Sequence, residues 1–440
     1  MDSRTQKYAE TLAELIRTET ISYDVQPDKT VFYRFQELLR EKFPHIFAVV
    51  EYEDFDGSFL LKWKGSGDGA KAPILLMNHQ DVVGATGEWR FPPFSAQIAD
   101  GKIWGRGTLD DKGGVWAMLQ AADELAMEGF VPKRDIYFMS SCSEERTGIG
   151  ADMISAALKE RGIRFEMVLD EGGMIVSEPI AGAKGKYAMV GVGEKGCVEL
   201  KFTARSEGGH ASTPESNVPL VRLGKFMAKV DNGKPFRSQL SPTVCTTFNR
   251  VSRGMNGPIK FLLQNARFFK GLFAFVIPKI SATAAAMLKT TIAFTMCSAS
   301  GESNVLPESV WVIGDMRYSH HQGGEDSIRV ITEIAKKYDI ETEIVSSMFD
   351  SPISDTESYA FKTVENAIAR FFPDVITTPY IMTGASDSRY LSRVCDNCIR
   401  FSPFTIDSQQ LESIHAVNEN LDLSCLVPAV EFYRFIITEA

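Results

Sequence analysis

Adjacent acids recur in this chain at places where chemistry could use them. Gly105-Arg106-Gly107-Thr108-Leu109-Asp110-Asp111-Lys112-Gly113 sets two acids among glycines. Glu144-Glu145 and Asp170-Glu171-Gly172-Gly173 each follow a short apolar run. Like charges so close repel unless something offsets them. For Asp110-Asp111 the positive end of a helix is one such partner, and a cation is another. Six histidines occur: His45, His79, His210, His320, His321 and His415. His79-Gln80-Asp81 puts a His and an Asp on one face of a strand, since the side-chain period is two. A carboxylate beside a His is the usual support of a metal ligand; the alternative is a satisfied core His beside a surface Asp. Ile414-His415-Ala416-Val417-Asn418-Glu419 adds a second His near the C-terminus. His79, Asp110, Glu145, Asp170 and His415 fit two borderline cations that share Asp110. A pair of divalent ions about 3.5–4 Å apart clamps and activates one water. One acid must then stay uncoordinated to take the water's proton, and Glu144 suits that role.

These residues need elements to hold them. Residues 73–83 read as a buried strand that delivers His79 and Asp81 at its carboxyl end. Residues 109–129 read as a helix with an apolar stripe of Val115, Met118, Leu119, Ala122 and Leu125, stopped by Gly129. Strands are expected at 135–141, ending at Glu144-Glu145, and at 165–169, ending at Asp170, with a helix at 151–161 between them. Alternating strands and helices make an α/β layer structure, in which ligands gather at the carboxyl ends of the strands. Texture changes near 195: strands are expected at 195–206 and 305–317, with helices around them. The last ninety residues resume the earlier pattern, with a helix at 357–371 and a final one at 426–439. The expected organisation is a catalytic α/β domain in two parts, 1–194 and 351–440, interrupted by a smaller α+β domain at 195–350.

Composition narrows the function. Of the 440 residues 44% are hydrophobic and 24% charged, an ordinary globular balance. The net charge of −10 argues against nucleic acid as a partner. Seven scattered cysteines read as free thiols in a reducing compartment, and Cys395-Asp396-Asn397-Cys398 lacks the second pair that a zinc ribbon needs. No secretory leader is read at the N-terminus. The most apolar stretch, Phe261 to Met296, is broken by Lys270, Lys279 and Lys289, so no run reaches the roughly 20 residues of a membrane span. A cytoplasmic protein with no membrane partner is expected.

Taken in order, these motifs resemble the di-zinc exopeptidases that include aminoacylase-1, carboxypeptidase S and the bacterial glutamate carboxypeptidases. The likeness runs from His79 to Glu419. It implies a mixed-sheet catalytic domain and an inserted lid that also dimerises. It implies that His79, Asp110 and Asp170 hold one metal, and Asp110, Glu145 and His415 the other. Asp81 would orient His79, Glu144 would be the general base, and the Asp110–Asp111 peptide would be cis. Zinc is the expected metal, with cobalt and manganese as alternatives.

Other residues follow from the same likeness. His210, in Gly208-Gly209-His210-Ala211-Ser212, would stabilise an oxyanion, often in the partner subunit's site; otherwise it is a turn residue capping Ser212 or Thr213. Asn304 and Arg317 resemble lid motifs that touch the substrate, Arg317 suiting a carboxylate unless it pairs with Asp315. Gly384-Ala385-Ser386-Asp387-Ser388-Arg389 resembles a Gly-Gly-Thr-Asp-x-Arg loop, with Gly384, Ser386 and Arg389 near the substrate. Ala385 and Ser386 depart from that pattern, and Gly84 stands where many relatives carry Pro. Trp89-Arg90-Phe91-Pro92-Pro93-Phe94 resembles the carboxypeptidase S and aminoacylase branch. The apolar 250–300 region reads as lid core or dimer interface, or as a channel for a bulky acyl group. The expected activity is metal-dependent hydrolysis of the amide in a peptide or N-acyl amino acid bearing a free carboxylate. Alternatives are a dipeptidase, a desuccinylase or deacetylase, and a silent metal-binding protein of the same fold.

Overall fold

The structure, a computed structural model, describes residues 2–67, 69, 71–280, 282–348 and 351–440. A large sheet forms the centre. Its strands run in the order Val50–Phe55, Ser58–Trp63, Ile136–Ser140, Ile74–Met77, Met167–Asp170, Cys398–Arg400, Lys186–Glu194, Ile175–Ser177 and Thr405–Ile406, while Val375–Met382 pairs with Lys186–Glu194. Ile74–Met77 lies parallel to both Ile136–Ser140 and Met167–Asp170, and Cys398–Arg400 extends the parallel set. Every residue of Ile74–Met77, Ile136–Ser140 and Met167–Asp170 is buried. Strands covered on both faces read as unbroken apolar runs, which is why they stand out in the sequence.

The helix Lys112–Met127 packs along this sheet with Ser3–Ile16 and Leu426–Glu439 around it. It buries Val115, Met118, Leu119, Ala122 and Leu125 as its stripe predicts, and Gly129, at φ +77°, ends it. Its first turn is crowded. A Cβ at Gly114 would stand 2.1 Å from the Asn78 side-chain oxygen, so only glycine lets the helix start this close to the strand end.

The chain leaves the large sheet after Glu194 and returns to it with strands 375–406. Between, Thr291–Ser298, Ser309–Tyr318, Gly196–Arg205 and Glu341–Met348 form a second, antiparallel sheet. Helices Pro219–Gly233 and Gly324–Lys336 cover it and share its separate core around Phe202, Phe226 and Ile331. Residues 240–288 behave differently. Their helices form a third core with Tyr187 and Ile376, and so sit on the edge of the large sheet. The expected boundary at 350 falls on residues outside those described.

Candidate metal centre

Four strand ends converge at one edge of the large sheet. Ile74–Met77 leads into His79, Ile136–Ser140 into Glu144 and Glu145, Met167–Asp170 closes on Asp170, and Cys398–Arg400 lies beside it. Parallel strands put these ends on the same side. The loop before Lys112–Met127 adds Asp110, and the loop after helix Ser408–Ser413 adds His415.

Asp110 is the centre of the cluster. One of its carboxylate oxygens lies 2.8 Å from His79 Nε2, and the other lies 2.9 Å from His415 Nε2. His415 Nε2 is also 3.0 Å from Glu145. Single ligand atoms of His79, Asp110 and Glu145 all fall within 4.8 Å of one another. Asp170 ends the neighbouring strand, its carboxylate accepting the N–H groups of Glu171 at 2.9 Å and Ser388 at 2.8 Å. Asp110 thus faces each His with a different oxygen, which is what a shared carboxylate requires. The Asp110–Asp111 peptide is cis.

Asp81 faces the His79 ring through its backbone more closely than through its side chain. The ring Nδ1 lies 2.9 Å from the backbone carbonyl of Asp81, whereas the Asp81 carboxylate stands 3.5 Å away. A carbonyl can only accept, so Nδ1 carries a proton, and this contact aims Nε2 at Asp110. The Asp81 carboxylate instead accepts the N–H groups of Glu144 and Glu145, each at 3.1 Å. Asp81 therefore ties the His79 strand to the Glu144-Glu145 turn.

Among the described residues the carboxylates of the centre outnumber the cations beside them, which are His79, His415 and Arg400. Burial, with neighbouring carboxylates adding to it, pushes Asp111, Glu144 and Glu171 well above the ordinary carboxylate range. Burial and Asp110 likewise raise Glu145. Burial works against Asp110 ionising, but hydrogen bonds from His415 and His79 outweigh it and hold its pKa low. The His415 ring, hydrogen-bonded to Asp110 and Glu145, is raised to about 10. One carboxylate oxygen of Glu145 is buried without a hydrogen-bond partner. Oxygen and imidazole donors, an excess of buried negative charge and an orphaned carboxylate oxygen all fit divalent cations of the zinc type.

Residues that sequence reasoning passed over hold this centre in place. Glu419, fully buried, pairs with Arg106 at 2.6 Å and accepts the backbone N–H groups of Gly107, Leu109 and Asp110 at 3.1, 2.8 and 3.2 Å. It clasps the loop that presents Asp110. Both residues lie inside recognisable motifs, but nothing local links positions 106 and 419. Asp111 accepts the N–H of His79 at 3.1 Å. Asp387 accepts the Ser141 hydroxyl, and burial lifts its carboxyl to about 7.

The remaining expected site residues are held by other contacts. Ser386 gives its hydroxyl to Glu194 at 2.7 Å, and Glu194 forms a buried pair with Arg400 at 2.5 Å. Arg389 is buried and donates to the Ser386 carbonyl at 2.8 Å, while Gly384 is exposed. Arg317 pairs with Asp315 at 2.8 Å on the smaller sheet. His210 is exposed and takes the N–H of Ser212 at 3.1 Å. The backbone carbonyl of Asn304 accepts the Ala211 N–H at 3.0 Å, beside the short pairing of Gly209–His210 with Val305–Leu306. Among the described residues, none of His210, Asn304 and Arg317 bonds to the His79–Asp110 cluster. Cys395 and Cys398 are buried free thiols.

Known proteins resemble this chain in sequence and in fold. The family model for peptidase family M20/M25/M40 matches residues 75–439. The chain belongs to this family of metallopeptidases. It is 31% identical to a probable carboxypeptidase S-like 2 of Dictyostelium discoideum, over 98% of this chain and 84% of that one. It is 29% identical to the human N-fatty-acyl-amino acid synthase/hydrolase PM20D1, over 98% and 87%. An M20 family metallo-carboxypeptidase from Sulfolobus solfataricus superposes with a TM-score of 0.70 at 17% identity, over 99% of both chains. The family and the likeness to carboxypeptidase S place the chain among hydrolases near that branch.

Proposed function

We propose that this protein hydrolyses the amide bond of N-acyl amino acids, and of peptides, that carry a free carboxylate. The observation that carries the reading is the cluster in which Asp110 turns one oxygen to His79 and the other to His415, with Glu145 against His415 and Glu144 next in the chain. His79, Asp110 and Asp170 would hold one divalent ion, and Asp110, Glu145 and His415 a second, with zinc in first place. Bound there, the ions would supply Lewis acidity and an activated water. Glu144 would take the proton from that water and return it to the leaving amine nitrogen. Its buried, acid-rich setting suits both steps, because a raised pKa brings a carboxyl nearer to neutrality. Arg389, with Arg317 of the smaller sheet, would anchor the substrate carboxylate, since a planar guanidinium meets two oxygens at once. The smaller sheet would act as a lid and bring His210 and Asn304 to the scissile carbonyl, and a homodimer would let His210 serve the partner's site.

The preference for acyl amino acids draws on the relatives: one is named for N-fatty-acyl amino acids and another for carboxypeptidase S. The test is amino acid release from N-acetyl amino acids, long-chain N-acyl amino acids and dipeptides, each with free and amidated C-termini. Release should need a divalent metal, be confined to free carboxylates, and vanish with chelator and in Glu144→Gln. Full metal content with no release from any member would favour a silent metal-binding protein. Equal release from amidated substrates would remove Arg389 and Arg317 as carboxylate anchors.

A further inference from the structure

Residues 232–301 contain nine Lys or Arg and no Asp or Glu, in a chain whose net charge is −10. The centre of this stretch is two helices, Gly257–Gln264 and Lys270–Ile280, on the edge of the large sheet. The inner row of these helices and of the turn between them, Leu263, Ala266, Phe273 and Ile277, is buried in the core shared with Tyr187 and Ile376. The outer row of helices and turn is apolar too: Phe268, in the turn, is 86% exposed, Phe275 65%, Phe261 61% and Leu272 49%. Arg267, Lys270 and Lys279 are exposed among these rings, and Lys279 lies 3.4 Å from the centre of the Phe275 ring. Isolated exposed apolar residues need no explanation, but a contiguous patch of them does.

We propose that this face docks on an anionic lipid surface. Two features select that occupant. Rings interleaved with cations are the composition of a segment that lies in the headgroup layer, the rings entering the acyl boundary and the Lys and Arg meeting lipid phosphates. A second copy of the chain fits poorly, because a two-fold interface would set this acid-free basic face against itself. No membrane partner was expected from the sequence, since no run is long enough to span a bilayer. Adsorption needs no span. The same helical layer stands on the strand Val375–Met382, where the Thr247 hydroxyl donates to the Pro379 carbonyl at 2.6 Å, and that strand leads into the 384–389 loop. Docking would bring the enzyme to the surface into which long-chain acyl amino acids partition. The docking stands on the surface residues alone and requires no turnover.

Flotation of the full-length protein with two kinds of vesicle tests it. One kind is phosphatidylcholine alone; the other holds about a third phosphatidylglycerol. Binding should appear with the anionic vesicles, fall with added salt, and be weak on phosphatidylcholine. Reversing Arg267, Lys270 and Lys279 to Glu should cut binding by about a hundredfold. Phe268→Ser with Phe275→Ser should cut it by about tenfold or more. All five positions are exposed, and an unchanged melting temperature verifies the fold of each variant. Equal binding to both vesicle types, or wild-type binding by the triple charge reversal, would overturn the proposal. So would a dimer that the Phe variants dissociate, or binding to duplex DNA in the absence of any to vesicles.

Discussion

The two sheets present their polar groups in opposite ways. At the end of the large sheet, His79, Asp110, Glu145 and His415 come from four distant parts of the chain and touch one another. Beneath them Glu419, Arg106 and Asp81 hold the loops by backbone N–H groups. Beside the smaller sheet the His210 ring bonds to Ser212, two residues along, and on that sheet the Arg317 side chain bonds to Asp315. The first region is fixed by its own network before any substrate arrives. The second is held by local, half-exposed contacts that a ligand can replace at little cost. A hydrolase needs both: a rigid donor set for metal and proton transfer, and groups that close on the substrate.

Several substitutions would break or sharpen this contrast. The largest effect is expected from Glu144→Gln, which should lower kcat by about 10²–10⁴-fold with metal content unchanged by elemental analysis. His415→Ala should lower metal content itself, because one of the two His donors around Asp110 is lost; full occupancy would show the ligand set to be wrong. Glu419→Ala should destabilise the protein by about 3–5 kcal/mol in denaturant unfolding, since it leaves the Arg106 charge buried and strips acceptors from three N–H groups. By contrast, Asp315→Asn should cost no more than about 1 kcal/mol, because the Arg317 pair is about a third exposed. Arg317→Ala should raise KM and leave the melting temperature nearly unchanged.

The junction between the sheets carries its own test. Lys195 is buried there, its ammonium donating to the carbonyls of Ala286 and Lys289 at 3.1 and 3.0 Å, and burial lowers its pKa to about 7. The unfolded chain would keep that proton up to its ordinary value of 10.5. As pH rises from about 7, the unfolded state therefore binds more protons than the folded state, and this residue's contribution to stability increases. Below about 7 both states hold the proton and the cost of burying the charge is at its full value. Lys195→Met should flatten that rise when unfolding is compared at about pH 7 and about pH 9.

Much of the centre was legible because strand-end chemistry is written locally. An apolar run followed by His79 or by Glu144-Glu145 marks a buried strand and its cargo at once. The stripe of Lys112–Met127 and the stop at Gly129 follow from the 3.6-residue period and from the positive φ that glycine allows. The helices of 240–288 were harder to place, because apolar composition does not say which sheet an apolar face will cover.

The sequence by itself determined the family, the donor types and the order of the motifs, since each is a property of adjacent residues. Only the tertiary structure decided that the Asp81 carbonyl, more closely than its carboxylate, faces the His79 ring. It also decided that Glu419 clasps the Asp110 loop, and that the basic, ring-studded row of 257–279 faces outward. Those are outcomes of packing between segments that lie far apart in the chain, where the burial of one face and the satisfaction of one N–H select among partners that no local pattern can name.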